Sequence, residues 1–489
     1  MHPAALLGIL STAASIAGGL CWGKYQRHLR EGRPETLPAH ATAADGSSMA
    51  PLTDLAFPGG SGAEGVTATL QRQTQTLEDQ NRQLREENTD LRRQLAELKL
   101  ANTPPPTPSD LAVQFSEMRQ IPFRSEPKLA ALPLEAIQDK AKQAVLAQVS
   151  PESGGVRSRA FQAMGFVPDP FDFRTATAEL AASQTAVFYD PAVREAFYQD
   201  DADLRRKDSR TLVVAAAQQA LLAQVFPQAF PLPFNTAQDD EARALRSLVL
   251  GENLYYKIRW SVQDNMPDLV DTVASPLQPV PAYAPLFFSE EYKFTFSAGQ
   301  NFVEAVLQKG GESALTAVYQ RPPRSTTELL HPELYFATPP FTPVTVDFGD
   351  AVVEGHAPYF TNTAGEMGVH YMMRIFMSQD LSLRIADGWA GDRYAVYDGD
   401  PQHGDHTFWK TVWRTAGDGT DFFAGMRRLL MQRHTIPLQK EHDQPRAFIV
   451  NDPHRNIRIR QSEDGRTVIV INATTAQFAD ALGAKFGIP

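Results

Sequence analysis

Three stretches stand out in the pattern of apolar and polar positions. Thr211 to Phe226, TLVVAAAQQALLAQVF, is apolar nearly all round, with Gln218, Gln219 and Gln224 as the polar side chains after Thr211. Its alanines are the strongest helix formers and Asp208 or Ser209 can cap the first turn, so a helix buried inside a domain is expected. Residues 4–23, AALLGILSTAASIAGGLCWG, carry no charge; a membrane-crossing helix needs about 20 such residues, and the stretch reads as a transmembrane signal anchor. A cleavable signal peptide is the competing reading, but the basic n-region is missing. The span makes this a single-pass membrane protein; Lys24, Arg27 and Arg30 follow it, so the positive-inside rule favours the cytoplasm for the C-terminal part while the sequence leaves the side of the membrane open. The third pattern is Leu70, Leu77, Leu84, Leu91 and Leu98 at intervals of seven, with Thr74, Asn81, Asn88 and Leu95 at the alternate core positions. A period of 3.5 marks a leucine-zipper coiled coil over 67–101 rather than a lone helix lying on the main domain, and core asparagines select a parallel two-stranded register. The expected partner is therefore a second copy in a parallel homodimer.

Residues 24–66 are rich in Pro, Gly, Ala, Ser and Thr without hydrophobic period and read as a flexible linker. Pro104, Pro105, Pro106 and Pro108 end the zipper and open a Pro-rich linker over 102–126. From 127 to 489 the chain is globular. Helical patterns cover 134–148, 212–225 and 297–309, and strand patterns cover 185–189 and 466–472. The expected class is α+β, mainly helical, with a small sheet, preceded by a transmembrane helix and a parallel coiled coil.

Composition narrows the function. The chain has 489 residues, 43% of them hydrophobic, and can bury a large core; its formal net charge of -11 argues against a general nucleic-acid binder, and the zipper is preceded by PGGSGAEGVTA where a DNA-binding zipper has a basic helix. A single cysteine, Cys21, excludes an intramolecular disulfide and a zinc site of several thiolates. No GxSxG elbow or GxxxxGK loop is present.

Several stretches resemble, in order, a zincin-type (HExxH) metallopeptidase-like family of bacteria and archaea. They are AMGFVPDPFDF and VFYDP within 163–191, FVEAVLQKGGESALTAVYQRPP followed by RSTTELLHPELY, Gly365 with Glu366, and GWAGDR at 388–393. The resemblance spans roughly 160–480 and implies a zincin-like domain over 127–489, with VFYDP as an edge strand beside the active-site helix. In active members that helix carries HExxH, whose histidines lie on one face to bind zinc while the glutamate activates water. Here the alignment puts Ala215 and Gln219 at the histidines, Ala216 at the glutamate and Leu250 at the third ligand, the Glu of an EGDA segment. The resemblance therefore implies a degenerate member with no zinc, no other cofactor and no catalytic residue.

A relocated site would have to draw on the remaining polar residues. His403 and His406 flank Asp405 in a polar loop and would need a distant third ligand. Glu366 and His370 fall four apart on an expected helix and suit a local contact. Glu252, two residues past Leu250, is turned about 200° away from it. Glu328, His331 and Tyr335 read as scaffold, and Asp392 and Arg393 as an internal pair. The leading expectation is a membrane-anchored, zipper-dimerised pseudopeptidase that binds peptide segments, adding a strand along the edge near Val187 to Tyr189. The alternatives are a metal-dependent hydrolase with relocated ligands and a structural membrane tether.

Overall fold

The computed structural model describes residues 75–94 at most positions, together with 104–200, 203–263, 285–349, 351–437 and 443–486. Among the described residues no helix is long and apolar enough to cross a membrane. This corrects the membrane reading: the preceding transmembrane helix in the expected fold class, the signal anchor and the single-pass localisation are not retained. Residues 4–23 and the 24–66 linker lie outside the described residues, as do Leu70, Asn81 and Leu98 of the zipper.

The chain divides into two compact units. In the first, the described positions of 75–94 are helical, and Leu77, Leu84 and Leu91 are 59%, 61% and 56% exposed, on the same side as Asn88 in the heptad. The described residues of the second unit begin at Thr107. Its first helix, α1 (Pro108–Arg119), falls in the expected Pro-rich linker and corrects it. Pro108 sits in the first turn, where its missing N–H costs nothing, and Thr107 with Asp110 forms a capping box, so the proline starts a helix instead of only ending one. Leu111, Phe115 and Arg119 are buried.

The helical half follows. Strand β1 (Leu129–Leu132) leads into α2 (Leu134–Gln148), α3 (Pro151–Met164) and α4 (Phe173–Ser183), then β2 (Val187–Asp190) and β3 (Glu195–Gln199). These strands form a small sheet of order β1-β3-β2, with β1 parallel and β2 antiparallel to β3. The apolar run forms α5 (Lys207–Val225), which packs on β2 and β3; it begins before the expected caps, with Arg206 at the N-cap and no side-chain cap bond. Helices α6 (Asp239–Gln263) and α7 (Leu286–Val318) pack along each other, α7 bending at Gly310 and Gly311. Their backbones touch at one crossing: a Cβ on Gly251 would lie 2.1 Å from the carbonyl carbon of Gly299.

Short helices α8 (Thr326–Leu330) and α9 (Pro332–Tyr335) lead to β4 (Phe360–Asn362), α10 (Gly365–Arg374) and α11 (Gln379–Ala386). Then come β5 (Trp389–Asp400), β6 (Gly404–Trp413), α12 (Ala416–Arg433), β7 (Asp443–Gln444), β8 (Ala447–Asp452), β9 (Arg455–Gln461), β10 (Thr467–Ala473) and α13 (Ala476–Lys485). The strands from β4 onward build a second, antiparallel sheet of seven strands, order β4-β5-β6-β10-β9-β8-β7. The expectation of one small sheet is thus also corrected. Its period-2 alternation feeds two cores: Tyr394, Val396, Trp409, Val468 and Val470 face the main core with α12, whereas Ala395, Tyr397, Phe408 and Ile471 pack with Phe478 and Leu482 of α13.

Candidate functional site

Two places need description: the helix where the resemblance puts a lost zinc site, and the point where the other resembling segments meet. On α5, Ala215 and Ala216 are 2% and 0% exposed and belong to a closely packed interior. Gln218 beside them accepts from Asn253 of α6 at 2.8 Å, and Asn253 also donates to the Ala215 carbonyl at 3.2 Å. Gln219 and Leu250 are partly buried. After Leu250, Gly251 serves the α6–α7 crossing and Glu252 turns into the interior, accepting from Arg119 Nε at 2.8 Å and Tyr319 Oη at 2.7 Å. Glu252 is thus consumed by an ion pair.

The second place is assembled from five separate segments. Asp392, at the start of β5, accepts four N–H groups: Ala364 and Gly365 backbone at 2.9 Å each, Trp389 Nε1 at 3.0 Å and Trp409 Nε1 at 2.9 Å. It does not pair with Arg393, which reaches Thr361 Oγ1 at 3.3 Å; the expected internal pair is corrected because alternation along β5 sends the two side chains to opposite faces. Gly365 has φ +72°, and a Cβ there would lie 1.8 Å from Asp240 Oδ1, so the first turn of α10 closes directly onto α6. Asp240 accepts the hydroxyl of Thr326 at 2.6 Å, and the same hydroxyl oxygen accepts the backbone N–H of Met367 at 3.2 Å. Burial pushes the Asp240 carboxyl up to about 7, against the pull of Thr326 and Arg243 and with the help of Asp392.

Glu366, the next residue after Gly365, meets His331. His331 Nε2 lies 2.8 and 3.1 Å from its two carboxylate oxygens and 3.7 Å from Asp387 Oδ1; Nδ1 lies 3.8 Å from Glu333 Oε1. Arg414 Nη2 donates to Asp387 at 2.6 Å. His331 and Glu366 are buried, and Asp387 is half-exposed and gives the group its side toward solvent. Burial disfavours the imidazolium, but the Glu366 carboxylate, with Asp387 behind it, holds the His331 pKa above its ordinary value.

The other candidates separate. Glu328 accepts from the Arg324 N–H at 2.6 Å and from Arg321 at 3.2 Å, while the Tyr335 hydroxyl donates to the Arg321 carbonyl at 2.6 Å, so both hold a turn. His370 is buried beside Tyr371 and does not meet Glu366, and burial takes its pKa down to about 3. His403 bonds to Asp400 at 2.9 Å and stacks on His454, whereas His406 accepts the Thr474 N–H at 3.0 Å and stacks on Phe478. Asp240, Asp387 and Arg414 were not singled out from sequence. Asp387, directly before the GWAGDR segment, was the available signal for one of them.

A mixed α/β unit with two sheets and a buried histidine–carboxylate cluster is the class these observations define. A family model described as a domain of unknown function (DUF8575) matches residues 356–483. That match contains the whole seven-stranded sheet, Glu366, Asp387 and Asp392, and leaves out His331 and Asp240. No curated protein and no solved structure matches the chain.

Proposed function

We propose that this chain is a dimeric binding module, a degenerate zincin-like pseudopeptidase that recognises extended peptide segments and does not cleave them at the α5–α6 position. The observation that carries the reading is the packing of Ala215 and Ala216 into the core, where the resemblance calls for a zinc ligand and a base. An alanine neither ligates a metal nor takes a proton, and the helix face is filled by its neighbours.

Recognition is assigned to β2. This strand is an edge of the small sheet, and among the described residues no strand pairs with its outer side. On β3 the N–H groups of Ala196 and Asp200 point to β1, at 2.9 Å from the carbonyls of Lys128 and Leu132. Phe197 therefore faces β2, its partner Phe188 faces inward, and the backbones of Val187 and Tyr189 face outward, available for an added strand. Pairing of the chains is assigned to the Leu77, Leu84 and Leu91 stripe with Asn88, which is exposed in the single chain.

Binding of the full chain to an array of extended peptides tests the first part. Val187→Pro removes an outward N–H from an edge strand while leaving the β2–β3 ladder intact, and is expected to abolish capture. Equal binding by the variant, or no binding by the parent, refutes it. Sedimentation of the full chain tests the second, with Leu77→Ser/Leu84→Ser/Leu91→Ser expected to convert a dimer to a monomer.

A further inference from the structure

We infer that His331, Glu366 and Asp387 form a binding site for a divalent transition-metal ion of the zinc class, separate from the α5–α6 position. Among the described residues this is the one trio of potential ligands whose donor atoms all lie within 4.8 Å of one another. The chemistry of the set is that of an N,O,O site. Bonds from zinc to imidazole nitrogen or carboxylate oxygen are about 2.0–2.2 Å, so two such atoms on one ion stand roughly 3.0–3.5 Å apart. The observed separations from His331 Nε2, 2.8 and 3.1 Å to Glu366 and 3.7 Å to Asp387, bracket that range. Small side-chain rotations would bring all three atoms onto one ion.

Three further features support a ligand site over a bare ion-pair network. Two of the three residues are buried on a floor that is itself fixed: Glu366 follows Gly365, whose N–H is held by Asp392 and whose α-carbon abuts Asp240. The geometry at Glu366 is therefore preorganised by groups that never touch the ion. The second imidazole nitrogen lies 3.8 Å from the Glu333 carboxylate, within ion-pair reach though beyond a hydrogen bond, so a second negative charge stands behind the ring. The third ligand, Asp387, is half-exposed, which leaves the remaining coordination positions toward solvent for water or a ligand.

Without the ion, the Arg414 guanidinium supplies the positive charge on Asp387. A metal must displace it. That competition separates the proposal from a purely structural role, because removing Arg414 would weaken an ion-pair network but would strengthen a metal site. The cluster also stands well apart from the lost zinc position: Asp240 beneath it and Leu250 are about 15 Å apart along α6 at ~1.5 Å per residue. The inference is independent of the peptide-binding reading, since β2 contributes no ligand.

The test uses the full chain stripped with chelator, titrated with zinc by calorimetry and with cobalt by visible absorption at pH 7.5. One ion per chain is expected, with a cobalt d–d band. His331→Gln and Asp387→Asn should each weaken binding on the order of tenfold or more, as loss even of outer groups does at such sites, and Arg414→Met should tighten it. Circular dichroism melts verify that the variants are folded; Asp387→Asn, at a half-exposed position, keeps the test alive if His331→Gln unfolds. Absence of saturable binding overturns the inference. So does parent-like affinity in Asp387→Asn, or weaker binding in Arg414→Met.

Discussion

Arg119 ties the first helix of the large unit to its centre, and its removal is a demanding test of how that unit is held together. The guanidinium is fully buried; Nε bonds Glu252 at 2.8 Å, while Nη1 reaches Glu312 Oε2 at 3.3 Å, the Glu312 carbonyl at 3.2 Å and Thr316 Oγ1 at 3.1 Å. Tyr256 and Arg259 complete the shell of Glu312, so that carboxylate keeps partners when Arg119 is lost. Glu252 does not: it retains the Tyr319 hydroxyl alone, inside a fully buried site. The cost of Arg119→Met is therefore set by one stranded carboxylate, and breaking one side of a buried pair costs about 3–5 kcal/mol. Replacing both charges, Arg119→Met with Glu252→Leu, should recover most of that loss, because the desolvation cost disappears together with the attraction. Urea unfolding followed by tryptophan emission reports on the relevant unit, since Trp260, Trp389, Trp409 and Trp413 are all buried in it or at its edge. A single variant within about 1 kcal/mol of the parent, or a double variant no more stable than the single, would refute the assignment of the cost to Glu252.

Three further outcomes follow from the same geometry. Asp240 has a folded pKa near 7, above the 3.8 of a free aspartate, because burial dominates. The folded state then keeps a proton that the unfolded chain loses above about pH 4, so this residue's contribution is complete below that pH and is lost as pH rises through about 7. At ~1.4 kcal/mol per unit the difference amounts to about 4 kcal/mol. The stability of Asp240→Asn relative to the parent should consequently rise between pH 4 and pH 7 in urea titrations; a constant difference would contradict the shift. Gly251→Ala places a methyl group 2.1 Å from the Gly299 backbone, must push α6 and α7 apart, and should lower stability by about 1–3 kcal/mol or more, read as a lower urea midpoint. Asp392→Asn turns an acceptor of four N–H groups into a group with one acceptor oxygen and an N–H₂ facing donors, and should cost roughly 2–4 kcal/mol, with a shift in tryptophan emission as one of Trp389 and Trp409, which donate to different carboxylate oxygens, loses its partner.

Local pattern determined a good part of the architecture. The helix expected over 134–148 coincides with α2, the strand over 466–472 differs from β10 by one residue at each end, and the stretch over 297–309 lies inside α7. The apolar run at 211–226 is buried as α5 because no polar stripe on it could face water. These features are periodic, and periodicity is written within a few turns of chain. The Thr107–Asp110 capping box is equally local, but the neighbouring prolines obscure it, and the pattern alone reads as linker where α1 forms.

The candidate site was a different matter. The fragments at 321–335, 365–366 and 388–393 stood out singly, but no local rule says that they meet. His331 and Glu366 are 35 residues apart and come into contact because Gly365 lets α10 close onto Asp240 of α6, and because Asp392 gathers the α10 turn and two tryptophans around one carboxylate. Asp387 and Arg414 join from the end of α11 and the residue after β6. Likewise, Glu366 and His370 share a helix in sequence, yet burial of His370 and the nearness of His331 give them different partners. Sequence by itself determined which segments are helix, strand and heptad, since those depend on neighbours along the chain; only the tertiary structure decided which charges face one another, since that depends on how buried backbone and carboxylates satisfy their hydrogen bonds across it.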